Sequence, residues 1–305
     1  MRYPRGVPLI QLSHSLGQAR GELAEGEDAK AIVDAAWTVR EDILAGRLTP
    51  LVHGDITGRA RDEEIAHQVA ALRENRIKRY VVSIETRCGP RVLKLSEPGS
   101  SWRRWSTVRS RARQEHHWHA RAQTLRIAAT QTRGYVELRR GPFALRGVQV
   151  QTVLSHELES LESHLQREIR SYGHRAVEAF AAHLAQAHAL KFFHADLKGF
   201  HAFVADVTPS TDGPSEYRLL WSDFGRVSFR MSPRRRTINL YQALRFVLPQ
   251  DPVTQERFIR EYCKVSGWLD ACPERAVKRV TRFLERKLRT HPIADPNPWP
   301  RSYTV

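Results

Sequence analysis

Two aspartate motifs limit what this chain can fold into more than any other feature of its sequence. A His-Ala-Asp-Leu-Lys motif occupies residues 194–198, and an Asp-Phe-Gly motif follows at 223–225. Phosphoryl transfer uses two carboxylates with different tasks, because one accepts the proton of the attacking hydroxyl and the other holds Mg²⁺ on ATP. Either triplet occurs by chance, but their order and spacing favour a pair that works together.

The segments around these motifs are predicted to follow the order found in the large lobe of a kinase. Apolar residues at spacings of three and four predict an amphipathic helix over 174–190, directly ahead of the first motif. A short strand over 200–207, a polar hairpin loop over 206–216 and a second strand over 217–221 then lead to Asp223.

A kinase also needs an upstream lysine, and Lys94 is the candidate. It lies in an apolar strand that a turn over 87–90 joins to a strand over 80–85 as a hairpin. A lone lysine in such a strand is more often a snorkelling edge residue. With the two downstream motifs present, we predict instead that it contacts the α- and β-phosphates of ATP. Glu115, the one acid in a helix predicted over 112–125, is its expected partner; the alternative is an ordinary surface glutamate.

Together these residues resemble the lipopolysaccharide kinases of the Kdo/WaaP type. The resemblance spans about residues 75–290 and is carried by the stretches around Lys94, before Glu115, over 194–204 and over 221–226. It implies an α+β, protein-kinase-like fold with a small β-rich N-lobe that contains one helix and a larger, mostly α C-lobe. It also implies ATP-dependent phosphorylation of a sugar hydroxyl, on heptose or Kdo, in the lipopolysaccharide inner core.

Family roles carry over residue by residue. The resemblance implies Asp196 as the catalytic base with Lys198 beside it, and Asp223 as the magnesium ligand. It implies that Lys94 binds the ATP phosphates and that Glu115 orients Lys94. ATP and Mg²⁺ are the cofactors that this set of residues predicts.

The sequence also departs from the protein-kinase pattern. His201 stands where protein kinases end the catalytic loop with asparagine, and lipopolysaccharide heptose kinases also tolerate histidine there. His201 is therefore predicted to bind the cofactor and the metal, although imidazole suits Mg²⁺ poorly compared with oxygen ligands. Asn239 stands where related kinases use an aspartate to brace the loop. The sequence has no glycine-rich phosphate loop before Lys94, and the short segment over 226–237 favours a small-molecule or glycolipid acceptor over a protein.

Length and composition suit a globular enzyme. At 305 residues and 41% hydrophobic content, the chain can form one two-lobed domain and an extension. We predict a mostly helical N-terminal extension over 1–72, an N-lobe over 73–154 and a C-lobe over 155–305. Within the extension, apolar periodicity predicts helices over 27–47 and 61–74.

The sequence contains no apolar run of membrane-spanning length and no convincing secretory signal, so we expect no transmembrane segment. Its three cysteines include no C-x-x-C pair and predict neither a disulfide framework nor a zinc site. We therefore expect a cytoplasmic enzyme, in the compartment that supplies ATP.

The net charge of +16 predicts an anionic partner. The favoured partner is a lipopolysaccharide core or another anionic glycolipid, and nucleic acid is disfavoured. A basic amphipathic helix predicted over 274–291 either closes the C-lobe or also contacts the anionic surface of the inner membrane. Two alternatives stay open: a kinase-like enzyme for another small molecule or a protein, and a catalytically weak scaffold that binds nucleic acid or membrane through its charge.

Overall fold

The protein folds into two compact units. The structure, a computed structural model, describes the following residues: 9–14, 17–51, 62–74, 79–97, 110–141, 143–152, 158–269 and 272–290. Unit one comprises Met1–Arg121 and Thr130–His156, and unit two comprises Ala122–Ala129 and Glu157–Val305. Unit one is rich in β-structure and unit two is mostly helical, which confirms the predicted α+β class.

Unit one is built on a seven-stranded sheet. Its strands are β1 (Leu9–His14), β2 (Gly17–Leu23), β3 (Pro50–Leu51), β4 (Arg79–Ile84), β5 (Arg91–Ser96), β6 (Thr132–Arg140) and β7 (Phe143–Thr152). They pair antiparallel in the order β1-β2-β6-β7-β5-β4-β3. Strand β5, which carries Lys94, therefore lies in the interior of the sheet, and the snorkelling edge lysine considered above is excluded.

Three helices belong wholly or mostly to unit one: α1 (Ala29–Leu44), α2 (Asp62–Arg73) and α3 (Arg111–Thr124). Helix α1 begins where the Asp28 carboxylate accepts a hydrogen bond from the Ala31 N–H at 3.0 Å. Its apolar face and the sheet form one hydrophobic core, which includes Ile32, Val33, Ala36, Val39, Ile43, Leu93, Leu95, Val136, Leu138, Val148 and Val150. Burial of each large side chain stabilises this core by about 1.5–3 kcal/mol.

The predicted helices over 27–47 and 61–74 are therefore present as α1 and α2, with slightly shorter bounds. Strands β1 and β2 were not predicted. Both join the same sheet as the strand that carries Lys94, because β2 pairs with β6 along its whole length.

Unit two contains five helices among the described residues: α4 (Leu161–Tyr172), α5 (His174–Ala189), α6 (Pro233–Phe246), α7 (Pro252–Ser266) and α8 (Pro273–Thr290). Its short strands are β8 (Glu159–Ser160), β9 (Phe193–His194), β10 (Ala202–Thr208), β11 (Glu216–Trp221) and β12 (Val227–Ser228). They form a β11-β10-β8 sheet and a β12-β9 pair. Helix α5 packs its predicted apolar face on α7, where the Phe180 and Phe258 rings stack at 5.5 Å.

The segment after the Asp-Phe-Gly motif is shorter than predicted. Helix α6 begins at Pro233, whereas the sequence placed its start near Ile238. The Ser232 hydroxyl accepts a hydrogen bond from the Arg235 N–H at 3.3 Å, and proline suits the first helical position, so the helix starts five residues earlier. The strand predicted over 200–207 likewise begins at Ala202, because 199–201 form a 3₁₀ turn.

Candidate active site

The predicted site residues fall into two groups, one in each unit. In unit one, Lys94 Nζ lies 3.4 Å from Glu115 Oε2. Arg111 Nε donates to the other oxygen, Oε1, at 2.9 Å. The Glu115 side chain is only 6% exposed, and its carboxylate contacts two cationic side chains near the start of α3. The surface-glutamate alternative is excluded.

The start of α3 is fixed against the sheet, and this fixes Glu115. The Ser110 N–H donates to Glu137 Oε1 at 2.8 Å, and the Ser110 hydroxyl accepts from the Arg113 N–H at 3.1 Å. Gly147 of β7 faces Ser110 so closely that an added Cβ would lie 2.6 Å from the serine Cβ. Only glycine permits this approach of the helix to the strand.

In unit two, Asp196 and Lys198 lie on the loop between β9 and β10. Lys198 Nζ is 3.6 Å from Asp196 Oδ1 and also lies over the Phe200 ring, 5.5 Å from its centroid. Both charged side chains are about 30% exposed. The loop therefore presents a carboxylate and an ammonium to solvent side by side.

His201 links this loop to the Asp-Phe-Gly segment. Its Nδ1 is 2.5 Å from the backbone oxygen of Asp196. A carbonyl oxygen only accepts, so Nδ1 must carry the hydrogen. The second ring nitrogen, Nε2, then faces Asp223 Oδ2 at 3.9 Å. Burial, the largest influence, lowers the pKa of His201, which favours the neutral ring.

Asp223 has a left-handed backbone, with φ 50° and ψ 65°. Such a conformation is uncommon outside glycine, and aspartate and asparagine tolerate it best. It costs roughly 1–3 kcal/mol, and strain of this kind is concentrated at functional sites. The carboxylate that it positions is about one third exposed.

Backbone contacts join the two aspartate motifs. Strands β9 and β12 pair His194 with Val227, and the Ala195 N–H donates to the Arg226 oxygen at 2.7 Å. The Ser222 N–H donates to the His201 oxygen at 2.9 Å. Buried His194 donates from Nε2 to the Ser222 oxygen at 2.9 Å, and burial lowers the pKa of His194. Asp196 and Asp223 are thereby held on one rigid frame.

Two amides of α6 brace the loop from beneath. Asn239 Nδ2 donates to the His194 oxygen at 2.6 Å, and Gln242 Nε2 donates to the Ala195 oxygen at 2.8 Å. Asn239 Nδ2 also donates to Gln242 Oε1 at 2.8 Å. The amides therefore bind the two carbonyls that directly precede Asp196.

A relay of hydrogen bonds fixes the orientation of the first amide. Arg236 donates to the Tyr262 hydroxyl at 2.7 Å, and that hydroxyl contacts His188 Nδ1 at 2.6 Å. His188 Nε2 contacts Asn239 Oδ1 at 3.0 Å. Because the amide oxygen accepts, Nε2 carries the hydrogen and Nδ1 accepts from the tyrosine. Burial lowers the pKa of His188 to about 4, so the ring stays neutral and the relay keeps one direction.

The donor set fits a divalent cation. One oxygen of Asp196, one nitrogen of His201 and one oxygen of Asp223 all lie within 4.8 Å of one another. Two carboxylates and a neutral imidazole are ordinary ligands for divalent metals. Asp223 and His201 would hold the ion, with Asp196 beside it, and the ion would supply positive charge for the phosphate oxygens of a nucleotide.

Sequence reasoning missed Gln242 and His188, and it offered Arg111 as an anion contact and not as a partner of Glu115. The spacing of Arg111 and Glu115 on one helix and that of Asn239 and Gln242 on another place each pair on one face. Neither signal was specific, because arginine and polar residues are frequent in both helices.

The spacing of His116, His117 and His119 points them to different faces of a helix and predicts surface positions and no metal site, and the prediction of surface positions is wrong in part. His119 is fully buried, and the His116 ring packs 5.4 Å from that of Tyr135. In the described part of the chain these histidines form no group that could hold a metal. The sequence also offers a basic aromatic stretch over 102–113 as a contact for ATP phosphates, lipid or acceptor, with a solvated loop as the alternative. Its part over 102–109 lies outside the described residues, and Arg111 binds Glu115.

Comparisons with known proteins add one likeness. No protein-family model matches the chain, and no curated protein matches it. Among solved structures, the chain is similar to WaaP in complex with acyl carrier protein, with a TM-score of 0.49 and 20% identity over 68% of this chain and 85% of that one. No helix within the described ranges is long and apolar enough to cross a membrane.

Proposed function

We propose that this protein is an ATP-dependent phosphotransferase that acts on a sugar hydroxyl of the lipopolysaccharide inner core, on heptose or Kdo. The observation that carries the proposal is the group of Asp196, His201 and Asp223 on the rigid frame of unit two. The two carboxylates lie on different backbone segments, which suits the two separate tasks of a base and a metal ligand.

In this proposal Asp196 accepts the proton of the sugar hydroxyl as its oxygen attacks the γ-phosphorus of ATP, and ADP leaves. Asp223 and His201 hold the divalent cation, predicted from the sequence as Mg²⁺, on the phosphates. Lys198, at 3.6 Å from Asp196, offers positive charge to the transferring group. Lys94, held by Glu115, binds the α- and β-phosphates.

A stripe of arginines supports an anionic acceptor. Helix α8 buries Ala276, Val280 and Leu284. Its opposite side exposes a row at alternating spacings of four and three, formed by Arg275, Arg279, Arg282, Arg286 and Arg289. Among the described residues no carboxylate pairs with this row, which extends for about 21 Å along the helix.

Because its apolar face is already packed, α8 suits surface contact with phosphate groups better than insertion into lipid. The partner in this proposal is a lipopolysaccharide core or another anionic glycolipid, with peripheral contact at the anionic cytoplasmic face of the inner membrane. That face is also where ATP is available as the donor.

The proposal is tested by transfer of labelled γ-phosphate from ATP to intact and delipidated lipopolysaccharide. We expect transfer to the core sugar with the wild-type protein and a loss of at least about 100-fold with Asp196→Asn, because the base is removed. Nucleotide binding should be nearly unchanged, since the substitution preserves shape.

Asp206→Asn is the matched control, because Asp206 is an exposed aspartate of the neighbouring hairpin, paired with Arg218 at 2.6 Å. It should transfer at the wild-type rate. Full turnover by Asp196→Asn would exclude Asp196 as the base. Absence of ATP binding, together with steeply salt-dependent binding to DNA or RNA, would favour the non-catalytic scaffold instead.

A further inference from the structure

The hydrogen bonding of His201 determines which of its nitrogens can bind a metal. Nδ1 donates to the Asp196 backbone oxygen at 2.5 Å, and this bond leaves the lone pair of the neutral ring on Nε2. Metal-binding histidines commonly use this arrangement, in which the nitrogen away from the metal donates to a backbone carbonyl.

The distance between His201 Nε2 and the nearby Asp223 carboxylate suits two ligands of one ion. Nε2 and Asp223 Oδ2 are 3.9 Å apart, which is too far for a hydrogen bond. Metal–ligand bonds of about 2.1 Å place neighbouring ligands about 3.0 Å apart and opposite ligands about 4.2 Å apart. The observed separation lies between these values, so a single ion can contact both atoms after small side-chain adjustments.

From these two observations we propose that the resident cation is Mn²⁺ and not Mg²⁺, with His201 Nε2 as a direct ligand. The inference rests on the proposed function for its place in phosphoryl transfer. Mg²⁺ demands oxygen ligands in near-ideal octahedral geometry, whereas imidazole suits first-row transition ions. Mn²⁺ accepts imidazole and still binds the carboxylate and phosphate oxygens that the reaction presents.

His201→Asn separates ligand chemistry from loop geometry. An asparagine amide can donate to the Asp196 carbonyl and has an oxygen in place of a ring nitrogen, so it keeps the contact within the loop and removes the nitrogen ligand. We expect the variant to bind Mn²⁺ about tenfold more weakly than the wild type and to bind Mg²⁺ equally well or better.

The experiment measures metal binding to the full chain without nucleotide. Free Mn²⁺ is followed by electron paramagnetic resonance during titration, and Mg²⁺ affinity is obtained by competition. We expect Mn²⁺ to bind one site at least about tenfold more tightly than Mg²⁺. Spin-echo modulation from a directly bound imidazole ¹⁴N should appear in the wild type and disappear in His201→Asn.

His183→Gln is the matched control, because His183 is another partly buried histidine of unit two and packs on the Tyr217 ring. It should leave both the Mn²⁺ affinity and the nitrogen signal unchanged. The wild-type nitrogen signal tests the proposal even where His201→Asn does not fold.

Equal affinity for the two ions, or bound Mn²⁺ without a nitrogen signal, would overturn the inference. Phosphoryl transfer with Mg²⁺, together with no nitrogen signal from bound Mn²⁺, would support the proposed function and contradict the assignment of Mn²⁺ to His201. A Mn²⁺ site with a nitrogen signal, but without transfer to any core sugar, would support the metal assignment and contradict the proposed function.

Discussion

In unit one, the Glu115 carboxylate is the common partner of two cationic side chains. It is buried and contacts Lys94 on one oxygen and Arg111 on the other. Loss of its charge would leave two cations close together without their common partner, and Lys94 would lose the contact that restrains it.

We therefore expect Glu115→Gln to raise the KM for ATP by about tenfold with a smaller effect on kcat, because nucleotide placement depends on an oriented lysine. Steady-state kinetics with varied ATP measure this. Glu178→Gln, which removes an exposed pair with Arg257, is the control and should leave both constants unchanged. An unaltered KM in Glu115→Gln would show that Lys94 does not depend on this carboxylate.

At the scale of residues, the sequence predicted the Lys94–Glu115 ion pair and the grouping of His201 with the two aspartates. Both predictions follow from the spacing of the motifs, which is visible in the sequence. The second cation on Glu115 could not be predicted, since an arginine-rich helix offers several candidates and only the folded geometry selects Arg111.

At the scale of elements, the hydrogen bonds between α6 and the loop that carries Asp196 have a defined direction. Asn239 and Gln242 donate to backbone carbonyls, so α6 requires amides at these positions. The sequence identified Asn239 as a departure from the aspartate of related kinases. It could not show that the loop presents carbonyls to α6, because that depends on the path of the backbone.

Asn239→Asp should therefore impair the protein, although aspartate is the residue found there in the kinases that the motifs resemble. A carboxylate cannot donate to the His194 oxygen or to Gln242 Oε1, and each buried acceptor left without a donor costs about 1–3 kcal/mol. We expect a lower thermal midpoint and at least about a tenfold loss of kcat, with little change in the KM for ATP.

Thermal melts and steady-state kinetics check this expectation. Gln250→Glu is the control, because Gln250 also donates an amide hydrogen to a backbone carbonyl, at 3.3 Å from the Arg245 oxygen. Wild-type stability and kcat in Asn239→Asp would show that the loop does not need these donors.

At the scale of the whole molecule, buried histidines make stability depend on pH. Burial lowers the pKa of His188 to about 4, and that of His183 to a similar value. Above pH 6.5 the histidines are neutral in both the folded and the unfolded chain. As the pH falls from about 6.5 to 4, the unfolded chain takes up protons first, so the free energy of unfolding decreases.

For His188 this loss amounts to roughly 3 kcal/mol across the window. Urea denaturation at pH 7.5, 6 and 5 should show the decline, and His188→Gln should make it shallower by the contribution of this one histidine. His67→Gln, on the exposed side of α2, is the control and should retain the wild-type slope. A slope that His188→Gln leaves unchanged would assign the pH dependence to other groups.

The sequence predicted the α+β class and most helices of the chain, because apolar periodicity is strong in α1, α5 and α8. Strands β1, β2, β6 and β7 are among those that escaped prediction. Of these, β2 reads Gly-Gln-Ala-Arg-Gly-Glu-Leu and has little β-propensity of its own. It is a strand because β6 offers it a partner, and that pairing is a tertiary effect.

The pairing of β2 with β6 limits how far the chain can be truncated from its N-terminal side. Gly21 approaches β6 so closely that a Cβ would lie 2.0 Å from the Tyr135 oxygen, so the two backbones are fitted to each other. The kinase-like motifs begin only near residue 75, and a fragment cut there would expose the hydrogen-bonding edge of β6 beside buried Val136 and Leu138. An uncovered edge of this kind recruits other chains. The shortest form of this protein that folds on its own is therefore expected to start well ahead of its first recognisable motif.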